Sequence, residues 1–231
     1  MSVQPDPTFA SSTENTADSS LLLRDLAYQH IKDAIQQSDV QPGEPISETR
    51  LSSELGISRT PVREALQILA QEGLIQIIPG RAITVAAPSL RDVQDAIHVR
   101  FLLEPELARL AARNISEEQL QTLAAAQQEL ERAVAEQNRV TWTRVDNVWH
   151  ETISAACPNK LLGDLALQIR NRVSFLSIDA QGNWDRLASC TAEHREIVEM
   201  IAAGDSEGAE EAASAHLGNY RENIFQRLSH H

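Results

Sequence analysis

Four side chains in the C-terminal half of the chain have the types and spacing of a metal site. Asp146 and His150 are four residues apart, so on one helix they share a face and can chelate a single ion. His194 and His216 lie on two later predicted helices and could converge on the same point. Carboxylate and imidazole ligands suit zinc, nickel, manganese or iron. From spacing alone, a surface pair and two histidines satisfied in the core are the simpler interpretation.

A segment in the N-terminal half has the pattern of a DNA-reading helix. Gly56 supplies the backbone of a tight turn, Ser58 is placed as a helix N-cap, and Pro61 falls in the first helical turn. The apolar residues that follow recur at helical spacing and predict a buried face. The polar side chains left outside that face are Arg59, Thr60 and Arg63. Such polar side chains are typical of the N-terminal end of a recognition helix, which is the end that enters the major groove of DNA. The alternative is that the two arginines are ordinary surface charges on a capped helix.

The elements around this segment are predicted to form a winged helix. Upstream, residues 26–35 carry apolar side chains at helical spacing, Pro42-Gly43 breaks the chain, and Ser47 caps a second short helix. Downstream, two β-rich runs at 74–78 and 82–85 are spaced as a hairpin. Three helices and a two-stranded wing therefore make up the first domain, residues 21–88.

Residues 89–231 are predicted to be all helix. Ser89 with Asp92 and Ser116 with Gln119 fit capping boxes, and the apolar residues keep helical spacing. We expect an antiparallel bundle of six helices, two beginning at these caps and four covering 141–155, 159–178, 189–203 and 205–228. A bundle of about 140 residues can bury its own core and can hold a ligand site inside it.

The charge of the chain excludes a generally basic nucleic-acid binder. The formal net charge is -13, with -2 over residues 21–88 and -8 over residues 89–231. An acidic body suppresses indiscriminate phosphate binding, so affinity for DNA must rest on few arginines and depend steeply on salt.

Further features of the sequence indicate a cytoplasmic protein. Residues 1–20 are rich in Ser, Thr and Asp and predict a disordered tail rather than a secretory signal. No run approaches the eighteen or more apolar residues of a membrane span. Cys157 and Cys190 have no nearby partner in sequence and are interpreted as free thiols. The final His230-His231 is excluded from any site.

Three motifs within residues 24–86 are typical of one group of regulators. They are Pro42-Gly43, the run Ile-Ser-Arg-Thr-Pro-Val-Arg-Glu-Ala-Leu at 57–66, and Glu72-Gly73-Leu74-Ile75. On these motifs the segment resembles the DNA-binding domain of the GntR family of bacterial transcription regulators. The resemblance implies base and phosphate contacts from the recognition helix and a wing that reaches the minor groove. The candidate DNA-binding residues are Arg50, Ser58, Arg59, Thr60, Pro61, Arg63 and Arg81. The usual Arg-Gly pair of the wing is Arg81-Ala82 here, which is expected to hinder close approach to DNA.

The C-terminal half carries its own set of motifs. They are Val-Arg-Phe-Leu-Leu-Glu-Pro at 99–105, Asp-Asn-Val-Trp-His at 146–150, Glu-His-Arg-Glu-Ile-Val at 193–198, Gly204-Asp205 and His216-Leu217. Residues 91–228 thereby resemble the FCD domain of the FadR-type branch, a helical domain for effector binding and dimerisation. The resemblance implies a divalent metal, with zinc favoured over nickel, manganese and iron, bound by Asp146, His150, His194 and His216. Trp149 stands where Phe is usual.

Arg100 is the candidate effector-binding residue. In similar proteins this arginine lies near the metal pocket, where its planar fork can hold a carboxylate bidentately. An ion pair with Glu104, four residues along the same helix, is the equally weighted alternative.

The sequence thus predicts a ligand-responsive bacterial transcription regulator rather than an enzyme. It is expected to bind a palindromic operator as a homodimer, with repression as the expected effect, and to sense a small carboxylate through the metal-containing pocket. A sugar acid, hydroxy acid, dicarboxylate or amino-acid-derived acid fits the resemblance. Two alternatives stay open. One is a pure metal sensor. The other is a metal-dependent hydrolase with Glu151 or Glu193 as base, although no His-Glu-x-x-His motif occurs.

Overall fold

The computed structural model describes residues 11–37, 39–174 and 183–228. The chain divides into two compact units. One consists of Met1–Ile35 and Val40–Ala86, and the other of Gln36–Asp39 and Ala87–His231. Among the described residues, no helix combines the length and apolar character needed to cross a membrane.

The first unit is the winged helix that the sequence predicts. Its elements in chain order are α1 (Ser11–Gln36), β1 (Pro45–Ile46), α2 (Glu48–Leu55), α3 (Arg59–Gln71), β2 (Ile75–Ile78) and β3 (Ala82–Val85). The strands pair antiparallel in the order β1-β3-β2, with Ile77 opposite Ile83 in the hairpin. Strand β1 was not predicted, because two residues are too short to show the alternation of a strand.

Local sequence explains the ends of α2 and the placement of α3. The Ser47 hydroxyl accepts a hydrogen bond from the Arg50 N–H at 3.3 Å, and Gly56 ends α2 in the left-handed region at φ 65°. The buried face of α3 carries apolar residues at the predicted helical spacing, namely Val62, Ala65, Leu66 and Leu69. The predicted caps at Ser47 and Ser58, the turn at Gly56 and the helix that follows it are confirmed.

Helix α1 corrects the prediction for the N-terminus. A disordered tail was expected over residues 1–20, but the helix begins at Ser11 and continues to Gln36. Once the amphipathic segment has nucleated a helix, each added residue gains a backbone hydrogen bond for little further ordering cost. The rest of the predicted tail, residues 1–10, lies outside the described residues.

The second unit is a helical bundle, as predicted. Its described helices are α4 (Leu90–Asn114), α5 (Glu117–Ala135), α6 (Arg139–Ala156), α7 (Lys160–Ser174), α8 (Trp184–Ala203) and α9 (Ser206–Leu228). Both predicted capping boxes are present, at Ser89 and at Ser116. Helix α8 begins five residues before the predicted start, because the Asn183 side chain accepts from the Arg186 N–H and caps it there. The predicted extension of α7 beyond Ser174 lies outside the described residues.

Candidate metal and DNA-binding sites

The four predicted metal ligands face one small cavity inside the bundle. Helix α6 carries Asp146 and His150 one turn apart, α8 carries His194, and α9 carries His216. The cavity measures about 40 Å³, and Arg100, Arg170 and Cys190 also line it. A water needs roughly 10–15 Å³ of such space, so the cavity is large enough for an ion and a few small ligand atoms.

The ligand atoms form two overlapping groups of three. Asp146, His150 and His194 make one group and Cys190, His194 and His216 the other, with atoms within 4.8 Å of one another in each. His194 belongs to both. Its Nδ1 lies 3.7 Å from Asp146 Oδ1, and its Nε2 lies 3.8 Å from Cys190 Sγ. The predicted ligands therefore surround one imidazole ring, and Cys190 joins them although sequence reasoning had left it out.

Burial sets the protonation states of these groups. It lowers the pKa of His150 and of His194 well below 6.5, and the nearby charges of Arg170 and His216 respectively act in the same direction. Burial also raises the pKa of Asp146, against the opposing charge of Arg170, and raises the pKa of the Cys190 thiol. Neutral imidazole is the form that ligates a metal, so both histidines are ready to do so near neutral pH.

The lowered histidine pKa values predict a pH-dependent stability of the metal-free protein. In the unfolded chain both side chains titrate near about 6.5, whereas in the folded chain they stay neutral to lower pH. Below about pH 6.5 the unfolded chain therefore binds more protons than the folded chain. The free energy of unfolding then decreases as the pH falls. The raised pKa of Asp146 acts in the opposite direction. We expect the melting temperature in chelator to fall between about pH 7 and about pH 5.5, and less steeply in His150→Gln. A flat or rising profile would contradict this.

Glu193 orients His216. Its Oε2 lies 2.7 Å from His216 Nδ1, and its Oε1 accepts from Arg186 at 2.9 Å and from Asn219 at 3.0 Å. Burial alone would raise the pKa of Glu193, but His216 and Arg186 hold it below its ordinary value. With Nδ1 engaged, His216 has Nε2 left for a metal, and such carboxylate–histidine pairs commonly fix the ring of a ligand.

Arg170 holds the other side of the site. Its Nη2 donates to Asp146 Oδ2, and its Nη1 donates to Asn147 Oδ1 at 3.0 Å. The side chain is buried, so it places a fixed positive charge beside the cavity. Asp146 keeps its second oxygen, Oδ1, on the side of His150 and His194. The sequence did not indicate which way Arg170 faces.

Aromatic stacking fixes the central imidazole. The Trp149 indole lies almost parallel to the His194 ring, with centroids 4.1 Å apart and an interplanar angle of 13°. Both rings are buried in the bundle. The ring of His194 is therefore held in place by packing as well as by the helix that carries it.

Arg100 makes the predicted ion pair and keeps one guanidinium nitrogen unpaired. Its Nε and Nη2 donate to Glu104 at 2.5 and 3.1 Å, so the ion pair is present. Its guanidinium also lies over the Tyr220 ring, 4.4 Å from the centroid. The remaining nitrogen, Nη1, is buried and has no hydrogen-bond partner within the described chain. A buried donor of this kind at a cavity is available to a ligand oxygen.

The predicted DNA-binding side chains lie in the first unit. Arg59, Thr60 and Arg63 are exposed at the N-terminal end of α3, and the Ser58 side chain makes no capping hydrogen bond. Arg63 Nε pairs with Glu48 at 2.7 Å. These polar side chains are accessible to a partner, as a recognition helix requires.

Three other predicted DNA-binding residues differ in their placement. Arg50 is exposed and pairs with Glu54 at 2.6 Å, and Arg81 is exposed in the turn between β2 and β3. Pro61 is buried on the core face of α3. Its inclusion among residues that touch DNA is therefore corrected, because a buried ring shapes the helix start without reaching a base or phosphate.

Two family models match the chain. Residues 23–85 match the model for bacterial regulatory proteins of the gntR family, and residues 95–219 match the model for the FCD domain.

Individual relatives and solved structures agree with these matches. The chain is 27% identical over 198 residues to the HTH-type transcriptional regulator YdhC of Bacillus subtilis, covering 85% of this chain and 88% of that protein. It is 28% identical over 202 residues to the HTH-type transcriptional repressor RspR of Escherichia coli, covering 86% and 87%. The solved structure of E. coli McbR/YncC has the same fold, with a TM-score of 0.78 at 20% identity over 89% of this chain and 98% of that one.

Proposed function

The chain belongs to the GntR family of bacterial regulatory proteins and carries an FCD domain, and on this basis we propose that it binds a palindromic operator as a homodimer. As a member of this family it is a DNA-binding transcription regulator. One relative is named as a repressor, and we infer repression here as well. Because the chromosome of a bacterium is reached from the cytoplasm, we propose that the protein acts there.

We propose that the signal is a small carboxylate that binds at the cavity of the FCD domain. One observation carries this proposal: Arg100 presents an unpaired, buried Nη1 at a cavity lined by metal-ligating side chains. A guanidinium nitrogen is a strong donor to a carboxylate oxygen. The donors fit a divalent metal, with zinc favoured, held by Asp146, His150, His194 and His216. When bound, such an ion would supply a Lewis-acidic platform for the second carboxylate oxygen.

Two side chains considered as hydrolytic bases are placed unfavourably for that role. Glu151 is exposed and is not among the residues that line the cavity. Both carboxylate oxygens of Glu193 are engaged by His216, Arg186 and Asn219. A general base needs a carboxylate oxygen within reach of the attacking water. These positions favour a sensor over a hydrolase.

A thermal-shift panel of small carboxylic acids tests the proposed sensing. Metal-stripped and zinc-loaded protein are each melted with the acids, and an acid present at about a hundred times its Kd should add roughly 2.7 kcal/mol of stability. We expect one class of acid to stabilise the zinc-loaded protein only. Arg100→Lys should lose that stabilisation, because lysine keeps the charge but lacks the planar fork. Arg109→Lys, on the same helix and paired with Glu106, serves as the control.

The outcomes of this panel separate the alternatives. Stabilisation by an acid without any metal would overturn the role of the ion as a platform. If zinc alone changes operator affinity and no acid has an effect, the pure metal sensor replaces the carboxylate sensor. The coupling required between cavity and DNA is modest, typically about 1–3 kcal/mol.

A further inference from the structure

We propose that Cys190 is a ligand of the metal, together with Nε2 of His194 and Nε2 of His216. The inference rests on the metal site proposed above and changes its composition. The ion would then be held by one thiolate and two imidazole groups, on the Nε2 side of the His194 ring. The chemical class of ion that fits such a set is a borderline or soft divalent cation such as zinc or cobalt.

The position of Cys190 on α8 is the first support for this inference. Cys190 and His194 are four residues apart, so both side chains project from the same face of the helix toward the cavity. The Cys190 Sγ lies 3.8 Å from His194 Nε2. A tetrahedral zinc ion with a sulphur about 2.3 Å away and a nitrogen about 2.0–2.1 Å away separates the two atoms by about 3.6 Å. The observed distance is close to that value, so an ion fits between them with little movement of the helix.

The two histidines supply the second, independent support. His194 is fully buried at 0% exposure, and its Nε2 is the ring nitrogen that faces the Cys190 Sγ. His216 has its Nδ1 engaged by Glu193, which leaves Nε2 as its ligating atom. Ligand atoms of Cys190, His194 and His216 already lie within 4.8 Å of one another.

Charge balance explains why a thiolate is needed. Acidic side chains around the cavity are already paired with arginines in the described part of the chain, namely Asp146 with Arg170, Glu104 with Arg100 and Glu193 with Arg186. A divalent ion placed in this buried site would therefore bring two positive charges that these carboxylates do not balance. Buried charges require compensation, and a thiol that coordinates a metal loses its proton outright. A thiolate at Cys190 would supply one of the two negative charges required.

Cobalt loading of the full-length protein tests the assignment. A thiolate bound to Co²⁺ produces an intense ligand-to-metal charge-transfer band in the near ultraviolet, which nitrogen and oxygen ligands do not. The chain has only two cysteines, so Cys157→Ser leaves Cys190 as the single thiol. Cys157 lies outside the cavity lining, with its Sγ 3.5 Å from Asn159 O, which makes it a matched control. We expect the band in the wild type and in Cys157→Ser, and its loss in Cys190→Ser, with bound cobalt measured by elemental analysis.

Each result has a distinct meaning. Cobalt bound to wild type and to Cys157→Ser without the band would overturn the role of Cys190 and leave the proposed metal site intact. Wild type that binds no cobalt or zinc at all would overturn the metal site itself, and the inference with it. A band that persists in Cys190→Ser would also refute the assignment. If Cys190→Ser does not fold, the band in Cys157→Ser still decides the question, because that variant has no other thiol.

Discussion

Arg63→Ala is expected to abolish measurable binding to operator DNA while leaving the fold intact. The side chain is exposed near the N-terminal end of α3, so its loss should not destabilise the winged helix. A good arginine contact with a base contributes about 1–3 kcal/mol of discrimination. A homodimer loses two such contacts, which together amount to about 2–6 kcal/mol.

Glu48→Ala is the matched control for this substitution. It removes the same ion pair, 2.7 Å long, but keeps the arginine. If the pair itself were what binding requires, both variants would lose affinity equally. We expect Glu48→Ala to bind at least as tightly as the wild type, because an acidic side chain that competes with DNA for Arg63 is gone.

Fluorescence anisotropy over a series of salt concentrations measures both effects. If Arg63 contacts a phosphate, its removal should reduce the slope of log affinity against log salt by about one per contact. If it reads a base, discrimination between operator and altered operator should fall instead. Unchanged affinity of Arg63→Ala for the operator would refute its assignment to the DNA interface.

His194→Ala is expected to cause the largest loss of metal affinity of any single substitution at the cavity. His194 is the only residue shared by the two described groups of ligand atoms, so its removal damages both. Loss of a residue that merely orients a ligand typically costs about 10–100-fold, so loss of this central ligand should exceed about 100-fold. Glu193→Gln, which weakens the contact that orients His216 and removes the charge that pairs with Arg186, should fall within the smaller range.

Competition with a coloured zinc chelator gives the affinities directly. His98→Ala, which removes an exposed histidine on α4, controls for the substitution itself. Circular dichroism of each variant establishes that the bundle is still helical. A His194→Ala protein that binds zinc as tightly as the wild type would exclude the cavity as the metal site.

Much of the fold follows from local sequence signals. Ser47, Ser89 and Ser116 each mark a helix start through a short-range hydrogen bond, and Gly56 marks a helix end through a backbone conformation that other residues disfavour. Such signals involve only a few neighbouring residues and can therefore be identified from a single sequence. The predicted disordered tail over residues 1–20 was wrong for residues 11–20, because helix propagation from a nucleated segment leaves little local signal in polar residues.

The interior of the candidate site was harder to predict. Glu193 and His216 are 23 residues apart, and Asp146 and Arg170 are 24 apart, so these pairs exist only because the helices pack together. Nothing in local spacing indicates such contacts. Cys190 was different, since its four-residue separation from His194 was visible in the sequence. It was interpreted as a free thiol, because it has no nearby cysteine partner in sequence.

The parallel stacking of Trp149 on His194 gives this protein a built-in optical probe. An ion that draws electron density from the imidazole changes the environment of the indole 4.1 Å away, and tryptophan emission responds to such changes. The Trp142 indole is hydrogen-bonded to Thr191 and also lines the cavity, so its emission can contribute to the response. Occupancy of the cavity can thus be followed in real time with unlabelled protein, at concentrations low enough for tight binding to be measured.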